Sequence, residues 1–243
     1  MKNFKFPQTK RQPLNYSTVN IVPHRFYPYL LDMNNLYSTV DSSIILGRNK
    51  EINRICNCFF RNKKANAVLL GDHGVGKTAI VQKLVDNVIK KKCPKEMYNY
   101  HFLYLNIEFI LALLRVDKKI PSKLNRIFDF LYSCTDIVLV IDQLHLVQTD
   151  TLLAYYFATL VKQSNIKILG VSTEEEFYQF FEFDRKTRSR LEIIQIFEPK
   201  PNKIYPMIRN VIHRLEIVHG VTISKKLVRY IICVSKSAIQ NLH

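Results

Sequence analysis

Glycine is scarce in this sequence, with six residues in a chain of 243, and lysine and arginine outnumber acidic residues by 36 to 20. Long apolar runs are also missing, because none approaches the ~18 to 20 residues that span a membrane. The five cysteines include no C-x-x-C pair, which argues against a zinc site and a disulfide framework. We therefore expect no transmembrane segment and a reducing compartment, either the cytoplasm or the interior of an organelle.

The shortage of acidic residues leaves a formal charge of +16. A basic surface attracts anionic partners, which include acidic proteins, anionic lipids and nucleic acid. A lysine-rich composition typical of an AT-biased genome explains the charge equally well. Nucleic acid therefore stays open as a partner.

The N-terminus is basic and has no apolar core of a secretory signal. The first 31 residues include five lysines or arginines and no acidic residue. Four prolines, at positions 7, 13, 23 and 28, disfavour both a helix and an independent fold. We predict an extended basic arm over residues 1–40, with a transit segment as the alternative.

Three of the six glycines fall within residues 71–78, in the pattern G-x-x-x-x-G-K-T. An apolar run at 67–70 precedes this stretch and a helical pattern follows it, which is the setting of a phosphate-binding loop. The backbone N–H groups of such a loop cradle phosphates, and the positive end of the helix adds to the attraction. We expect Lys77 to reach the β- and γ-phosphates and the Thr78 hydroxyl to bind Mg²⁺. The predicted phosphate-binding set is Gly71, Gly74, Val75, Gly76, Lys77 and Thr78.

A second apolar run, at 137–141, ends in Asp142. A carboxylate at the end of a strand, at this distance after a phosphate-binding loop, is typical of the Mg²⁺ ligand of P-loop enzymes. We therefore predict a magnesium site formed by Thr78 and Asp142.

Residues 45–52, 66–70 and 71–81 resemble the first ATPase module of the Clp unfoldase and disaggregase family, a branch of the AAA+ proteins. The resemblance extends over about residues 41–240. It implies ATP and Mg²⁺ as cofactors, and other AAA+ subunits or a larger protein assembly as partners. It also implies that Ile45 and Leu46 line the adenine pocket.

The motifs and the resemblance together predict a three-layer α/β P-loop fold with a parallel sheet and a small C-terminal helical lid. We expect the large nucleotide-binding domain over residues 41–198 and the lid over residues 199–243. The lid is expected to be truncated, ending before the segment that contains the family's second sensor. A second ATPase module and an N-terminal substrate domain are not expected.

The sequence departs from the family directly after Asp142, where Clp-type modules have a glutamate that polarises the attacking water. Gln143 has an amide, which accepts no proton at neutral pH, and loss of a general base typically lowers a rate ~10²- to 10⁴-fold. The family's pore loop contains an aromatic residue, whereas residues 115–121 contain none. Translocation of peptides is therefore put in doubt.

Two further residues are assigned to catalysis by the resemblance. Ser172, followed by Thr173, lies at the end of a predicted strand where the family has a polar sensor; capping of the next helix is an equally good role for these hydroxyls. Arg190 matches one residue of the arginine pair that acts on the nucleotide of a neighbouring subunit. Ser189 replaces the other arginine, and a solvated basic helix end is the alternative.

These observations favour an ATP-binding Clp-like protein, impaired in hydrolysis by Gln143, that acts as a structural or regulatory subunit of a larger assembly. An active AAA+ ATPase that remodels or unfolds proteins is the first alternative, because an amide can still orient a water. A nucleic-acid-associated AAA+ protein is a lower alternative, since no helix-turn-helix or aromatic-basic motif accompanies the charge.

Overall fold

The computed structural model describes residues 21–38, 47–61, 63–163, 165–182 and 184–240, without the side chains of residues 201–202 and 236–240. The predicted adenine-pocket residues Ile45 and Leu46 lie outside the described residues. Six strands form one sheet: β1 (Leu30–Asp32), β2 (Asn66–Leu70), β3 (His101–Leu105), β4 (Ile137–Ile141), β5 (Ile166–Ser172) and β6 (Leu191–Gln195).

The strand order in the sheet is β1-β3-β4-β5-β2-β6. All neighbouring strands are parallel except β1 and β3, which are antiparallel. Parallel strands place their carboxyl ends at one edge of the sheet, and α/β proteins bind ligands at that edge, close to the point where the strand order reverses. Here β2 is separated from β3 by two later strands, which puts this point beside the end of β2.

The inner strands are apolar runs because both faces of the sheet are covered. Every residue of β2 and β4 is buried. Alternate side chains of β4 enter two different cores, with Leu139 and Ile141 on one face and Val138 and Val140 on the other. The predicted three-layer α/β fold is thus confirmed, with one antiparallel edge strand added to the parallel sheet.

Helices connect and follow the strands. Eight α-helices in the described residues precede β6: α1 (Met33–Ser38), α2 (Asn49–Phe59), α3 (Lys77–Ile89), α4 (Ile107–Leu114), α5 (Ile120–Ser133), α6 (Thr151–Leu160), α7 (Glu174–Phe181) and α8 (Arg185–Arg188). Two longer helices follow it, α9 (Pro201–His219) and α10 (Lys225–Gln240), and they pack against each other. None of the helices found in the described residues has the length and apolar character needed to cross a membrane.

Residues 21–38 differ from the extended arm that the sequence predicted. Their strand β1 adds to the sheet beside β3, and Phe26 and Leu30 are buried in the core. The rings of Phe26 and Phe130 lie 5.4 Å apart. Burial of apolar side chains against α5 and the sheet stabilises a segment whose prolines and charge indicated no fold of its own. The rest of the predicted arm lies outside the described residues.

Candidate nucleotide-binding site

The carboxyl edge of the sheet brings together segments that are far apart in sequence. Leu70, the last residue of β2, lies opposite Ser172 of β5. On the other side of β5, β4 ends one residue before Asp142. The loop that starts at Gly71, the Asp142 carboxylate and the Ser172 hydroxyl therefore lie along one edge.

The loop after β2 has a backbone suited to phosphate binding. Gly74 and Gly76 have φ values of 81° and 95°, in the left-handed region that residues with side chains disfavour. Helix α3 begins directly after the loop at Lys77, so its positive N-terminal end lies at the loop. A Cβ on Gly71 would lie 2.3 Å from the carbonyl oxygen of Ile196, so only glycine lets the loop leave β2 alongside the segment that follows β6.

The Lys77 ammonium is held by the loop itself. It donates hydrogen bonds to the carbonyl oxygens of Gly71 and Asp72, at 2.6 and 2.8 Å. Burial lowers the pKa of Lys77, while the carboxylates of Asp142 and Glu176 oppose that shift. The ammonium is therefore in a position to exchange carbonyl oxygens for the more negative oxygens of a phosphate.

Asp142 lies in a partly buried and negatively charged environment. Burial raises the pKa of its carboxyl, and the carboxylates of Glu108 and Glu176 raise it further. The backbone N–H of Gln143, 3.0 Å from Oδ1, and the Lys77 ammonium favour the ionised form. A divalent cation would neutralise this excess of negative charge, which makes Asp142 a chemically suitable Mg²⁺ ligand.

The described residues contain no group of three or more His, Cys, Asp and Glu side chains that could hold a metal ion. Mg²⁺ usually binds through one or two carboxylates together with the phosphate oxygens of a nucleotide. Asp142, with the half-buried Thr78 in the first turn of α3, therefore fits a Mg²⁺ ion that arrives with its nucleotide.

Gln143 follows Asp142 with a φ of 53°, which is uncommon for a residue with a side chain. Its side-chain amide donates a hydrogen bond to Oε1 of Glu108, which belongs to the first turn of α4. The structure thus places a carboxylate beside the amide, although not at position 143. No motif in the sequence points to Glu108; its one signal is its position just after β3, the strand next to β4.

Ser172 and His145 are buried next to each other at this edge. The imidazole Nδ1 of His145 lies 3.4 Å from the Ser172 hydroxyl and 3.2 Å from the Glu176 carboxylate. Burial lowers the pKa of His145 in spite of that carboxylate. The sequence analysis did not single out His145, whose only local signal is its position three residues after Asp142.

Thr173 caps helix α7. Its hydroxyl accepts a hydrogen bond from the backbone N–H of Glu176, and the Glu176 carboxylate accepts one from the backbone N–H of Thr173, both at 3.2 Å. This reciprocal pair is a capping box. Of the two roles considered for these neighbouring hydroxyls, the cap belongs to Thr173, and the sensor role stays a prediction for Ser172.

Arg48, just before α2, reaches three segments with one guanidinium group. It donates to the Glu51 carboxylate at 3.0 Å, to the carbonyl oxygen of Phe197 at 3.0 Å and to that of Val75 at 2.8 Å. Val75 belongs to the phosphate loop, and Phe197 lies between β6 and α9. In the sequence, Arg48 was marked only by its place in a segment that resembles the Clp family.

A cleft of about 450 Å³ lies between the start of α2 and the start of α9. Gly47 lines the cleft, and a Cβ on Gly47 would lie 3.2 Å from the Met207 side chain of α9. Gly47 directly follows Ile45 and Leu46, the two residues predicted to line the adenine pocket. One residue that lines the cleft is therefore their neighbour in the sequence.

Arg190 lies outside this group of residues. It is exposed, and its backbone N–H donates to the carbonyl oxygen of Thr187 at 3.0 Å. An exposed arginine suits action on a neighbouring subunit's nucleotide, which stays a prediction.

In the segment expected to form the pore loop, Val116 is 81% exposed.

No family model matches the chain. Curated relatives include the ClpB chaperone of Wolinella succinogenes, 27% identical over 185 residues, and that of Aquifex aeolicus, 26% identical over 198 residues. The alignments cover 74% and 79% of this chain but 22% and 20% of the relatives. The chain thus spans about a fifth of the length of these relatives.

Solved structures of Hsp104 have a similar fold. A closed state with ATPγS and FITC casein has a TM-score of 0.74 at 22% identity, and an extended S. cerevisiae complex with casein has a TM-score of 0.75 at 24% identity. Each covers 87% of this chain, and the matches take in 38% and 37% of the solved chains. The chain therefore shares its fold with the matched part of these Hsp104 chains. The similarity to these structures and to the ClpB relatives agrees with the resemblance to the Clp family that the motifs indicated.

Proposed function

We propose that the chain binds ATP with Mg²⁺, hydrolyses it poorly and serves as a structural or regulatory subunit of a larger assembly. The proposed location is a reducing compartment, either the cytoplasm or the interior of an organelle, because the five cysteines, all of them among the described residues, form no disulfide. The observation that carries the proposal is the combination of a complete phosphate loop and Asp142 with an amide at Gln143. Such a site holds a nucleotide but has no carboxylate at this position to activate a water.

Different residues at the carboxyl edge of the sheet bind different parts of the nucleotide. The loop N–H groups cradle the phosphates, and Lys77 exchanges its two carbonyl partners for β- and γ-phosphate oxygens. Thr78 and Asp142 hold Mg²⁺, which neutralises phosphate charge when it is bound. Ser172 acts as the polar sensor beside Asp142.

Other residues are assigned to the adenine and to the nucleotide of a neighbouring subunit. The adenine occupies the cleft beside Gly47, with Ile45 and Leu46 as lining residues. This places the nucleotide between a large domain of residues 41–198 and a lid of residues 199–243. Arg190 acts on the nucleotide of an adjacent AAA+ subunit.

Calorimetry tests nucleotide binding. The wild-type protein is expected to bind ATP with Mg²⁺, and Lys77→Ala to lose binding, since the triphosphate would then keep an unneutralised charge. Lys92→Ala, which removes an exposed lysine shortly after α3, is the matched control. Equal affinities in all three proteins would contradict the assignment of the phosphate loop.

Measurements of ATP hydrolysis test whether Gln143 impairs catalysis. Nucleotide extracted from freshly purified protein should be ATP, and steady-state hydrolysis should be at background. Gln143→Glu supplies a base and should raise the rate by about 10²-fold or more. Multiple turnovers by the wild-type protein that disappear in Asp142→Ala would show that hydrolysis is not impaired.

Glu108 favours a second candidate function, an active AAA+ ATPase that remodels proteins. Its carboxylate accepts a hydrogen bond from the Gln143 amide, so a proton of the attacking water can pass to Glu108 instead of to residue 143. The Hsp104 structures contain casein, which makes proteins the candidate substrates.

Two variants separate the candidates. If Glu108 is the base, Glu108→Gln abolishes turnover and Gln143→Glu changes it little. If hydrolysis is impaired, Gln143→Glu raises turnover and Glu108→Gln leaves it at background.

A further inference from the structure

Arg48 is held by acceptors from three separate segments, and its side chain is only 9% exposed. The Glu51 carboxylate is in the first turn of α2, the helix that begins directly after Arg48. The Val75 carbonyl is in the phosphate loop, and the Phe197 carbonyl is in the segment that leads from β6 to α9. The guanidinium group has five N–H donors in a fixed planar fork. It can therefore hold several acceptors in one plane and in fixed directions, whereas the three donors of an ammonium rotate.

The contact with Val75 affects the loop through the peptide bond. In a trans peptide, the carbonyl oxygen and the following N–H point in opposite directions. A Val75 carbonyl fixed on Arg48, at 2.8 Å, therefore directs the N–H of Gly76 away from Arg48. That N–H is one of the donors that a phosphate-binding loop offers to its ligand.

The contact with Phe197 affects the segment before the lid helices. This segment already runs along the loop, because the N–H of Ile196 donates to the carbonyl oxygen of Leu70 at 2.7 Å. Gly71 packs directly on the Ile196 carbonyl. Arg48 thus joins the phosphate loop to residues 196–200, the linker between β6 and α9, at the place where the loop and the linker are already in contact.

We propose that Arg48 is a positioning residue that orients the Val75–Gly76 peptide for phosphate binding and transmits the state of the loop to the linker before α9. The inference rests on the proposed function, since it concerns the same nucleotide site. A phosphate that fixes the Gly76 N–H also fixes the Val75 carbonyl, which keeps the guanidinium in place to hold the Phe197 carbonyl. The lid helices then respond to nucleotide through Arg48.

Calorimetry on Arg48→Met, Arg48→Lys and the control Arg54→Met tests the first part. Arg54 lies on α2, which begins directly after Arg48, but its side chain is 55% exposed and its partner Glu192 is 4.0 Å away. Arg48→Met should weaken ATP binding by about tenfold to a hundredfold, which is the usual effect of losing a hydrogen bond from a charged group. Arg54→Met should bind like the wild type. Arg48→Lys should recover only part of the loss, because the fork is missing.

Hydrogen exchange tests the second part and does not depend on turnover. In the wild type, saturating ATP should slow amide exchange in the loop and in residues 196–200. In Arg48→Met at saturating ATP, protection of the loop should persist and protection of residues 196–200 should be lost. Melting curves by circular dichroism show whether each variant is folded. If Arg48→Met is not folded, Arg48→Lys takes its place, and a partial loss of protection at residues 196–200 is then expected.

Three outcomes would overturn the inference. One is wild-type ATP affinity in a folded Arg48→Met protein. Another is complete recovery in Arg48→Lys, which would mean that only the positive charge matters. The third is linker protection that is equal in the wild type and Arg48→Met. If the wild type itself does not bind ATP, the proposed function is wrong. Exchange is then compared in the nucleotide-free proteins. Faster exchange of residues 196–200 in Arg48→Met than in the wild type would still show that Arg48 holds this segment, and equal exchange would refute that.

Discussion

His145 is a buried imidazole with two polar neighbours. It contacts the Glu176 carboxylate and the Ser172 hydroxyl, and its ring lies 5.7 Å from that of Phe180. Burial lowers its pKa below the ordinary value of 6.5, although Glu176 acts in the opposite direction. The native protein therefore keeps this imidazole neutral at neutral pH.

Acidification should destabilise the native state for this reason. Between the lowered native pKa and the ordinary value of 6.5, the unfolded chain binds more protons, so the free energy of unfolding falls as the pH falls. We predict lower urea midpoints at about pH 5.5 than at about pH 7.5, and a flatter dependence in His145→Gln. His219→Gln, at an exposed histidine, should keep the wild-type slope. A wild-type slope in His145→Gln would show that His145 does not cause the effect.

At the scale of the element, helix α7 depends on its capping box. Burial alone would raise the pKa of Glu176, but hydrogen bonds from the side chain and backbone of Thr173 outweigh it and the pKa is lowered. The same carboxylate lies near Lys77 and His145. The cap thus fixes both the start of the helix and one charge of the nucleotide site.

Thr173→Ala should lower the free energy of unfolding by about 0.5 to 2 kcal/mol, because one N–H of the first turn loses its acceptor. ATP affinity should change little, since the backbone N–H of Thr173, which the variant keeps, still holds the Glu176 carboxylate. Urea denaturation and calorimetry measure the two quantities. Ser133→Ala, which removes an exposed hydroxyl at the end of α5, is the control. Weaker ATP binding at unchanged stability would instead give Thr173 the sensor role.

On the scale of the whole molecule, α9 and α10 leave much apolar surface uncovered. Ile217 is 68% exposed, Val218 74% and Tyr230 67%. A large exposed apolar surface marks an interaction site in a folded protein. This surface supports the proposed role as a subunit of an assembly.

We predict that the protein self-associates through this surface. The double variant Ile217→Glu and Val218→Glu should shift the sedimenting species to the monomer mass, because carboxylates resist burial without partners. Analytical ultracentrifugation with and without ATP measures the mass. Val116→Glu, at an 81% exposed residue outside α9 and α10, is the control. A mass that is the same in the wild type and the double variant would contradict this role of α9 and α10.

The sequence by itself determined the fold class, the strands at the core of the site and the phosphate-loop segment. Apolar runs predicted at 67–70 and 137–141 correspond to β2 (Asn66–Leu70) and β4 (Ile137–Ile141). These predictions succeed because a buried strand, a glycine-rich turn and a following helix are each encoded by neighbouring residues. The position of Asp142 at the end of its strand is local in the same sense.

Only the tertiary structure decided which distant residues meet. Glu108 and Gln143 are 35 positions apart, and Arg48 and Phe197 are 149 apart. Leu30–Asp32 join the sheet as β1 although the composition of the surrounding segment indicated an arm. Such contacts depend on strand order, on register and on the burial that the whole core makes available, and none of these is expressed in the preferences of a short stretch of chain.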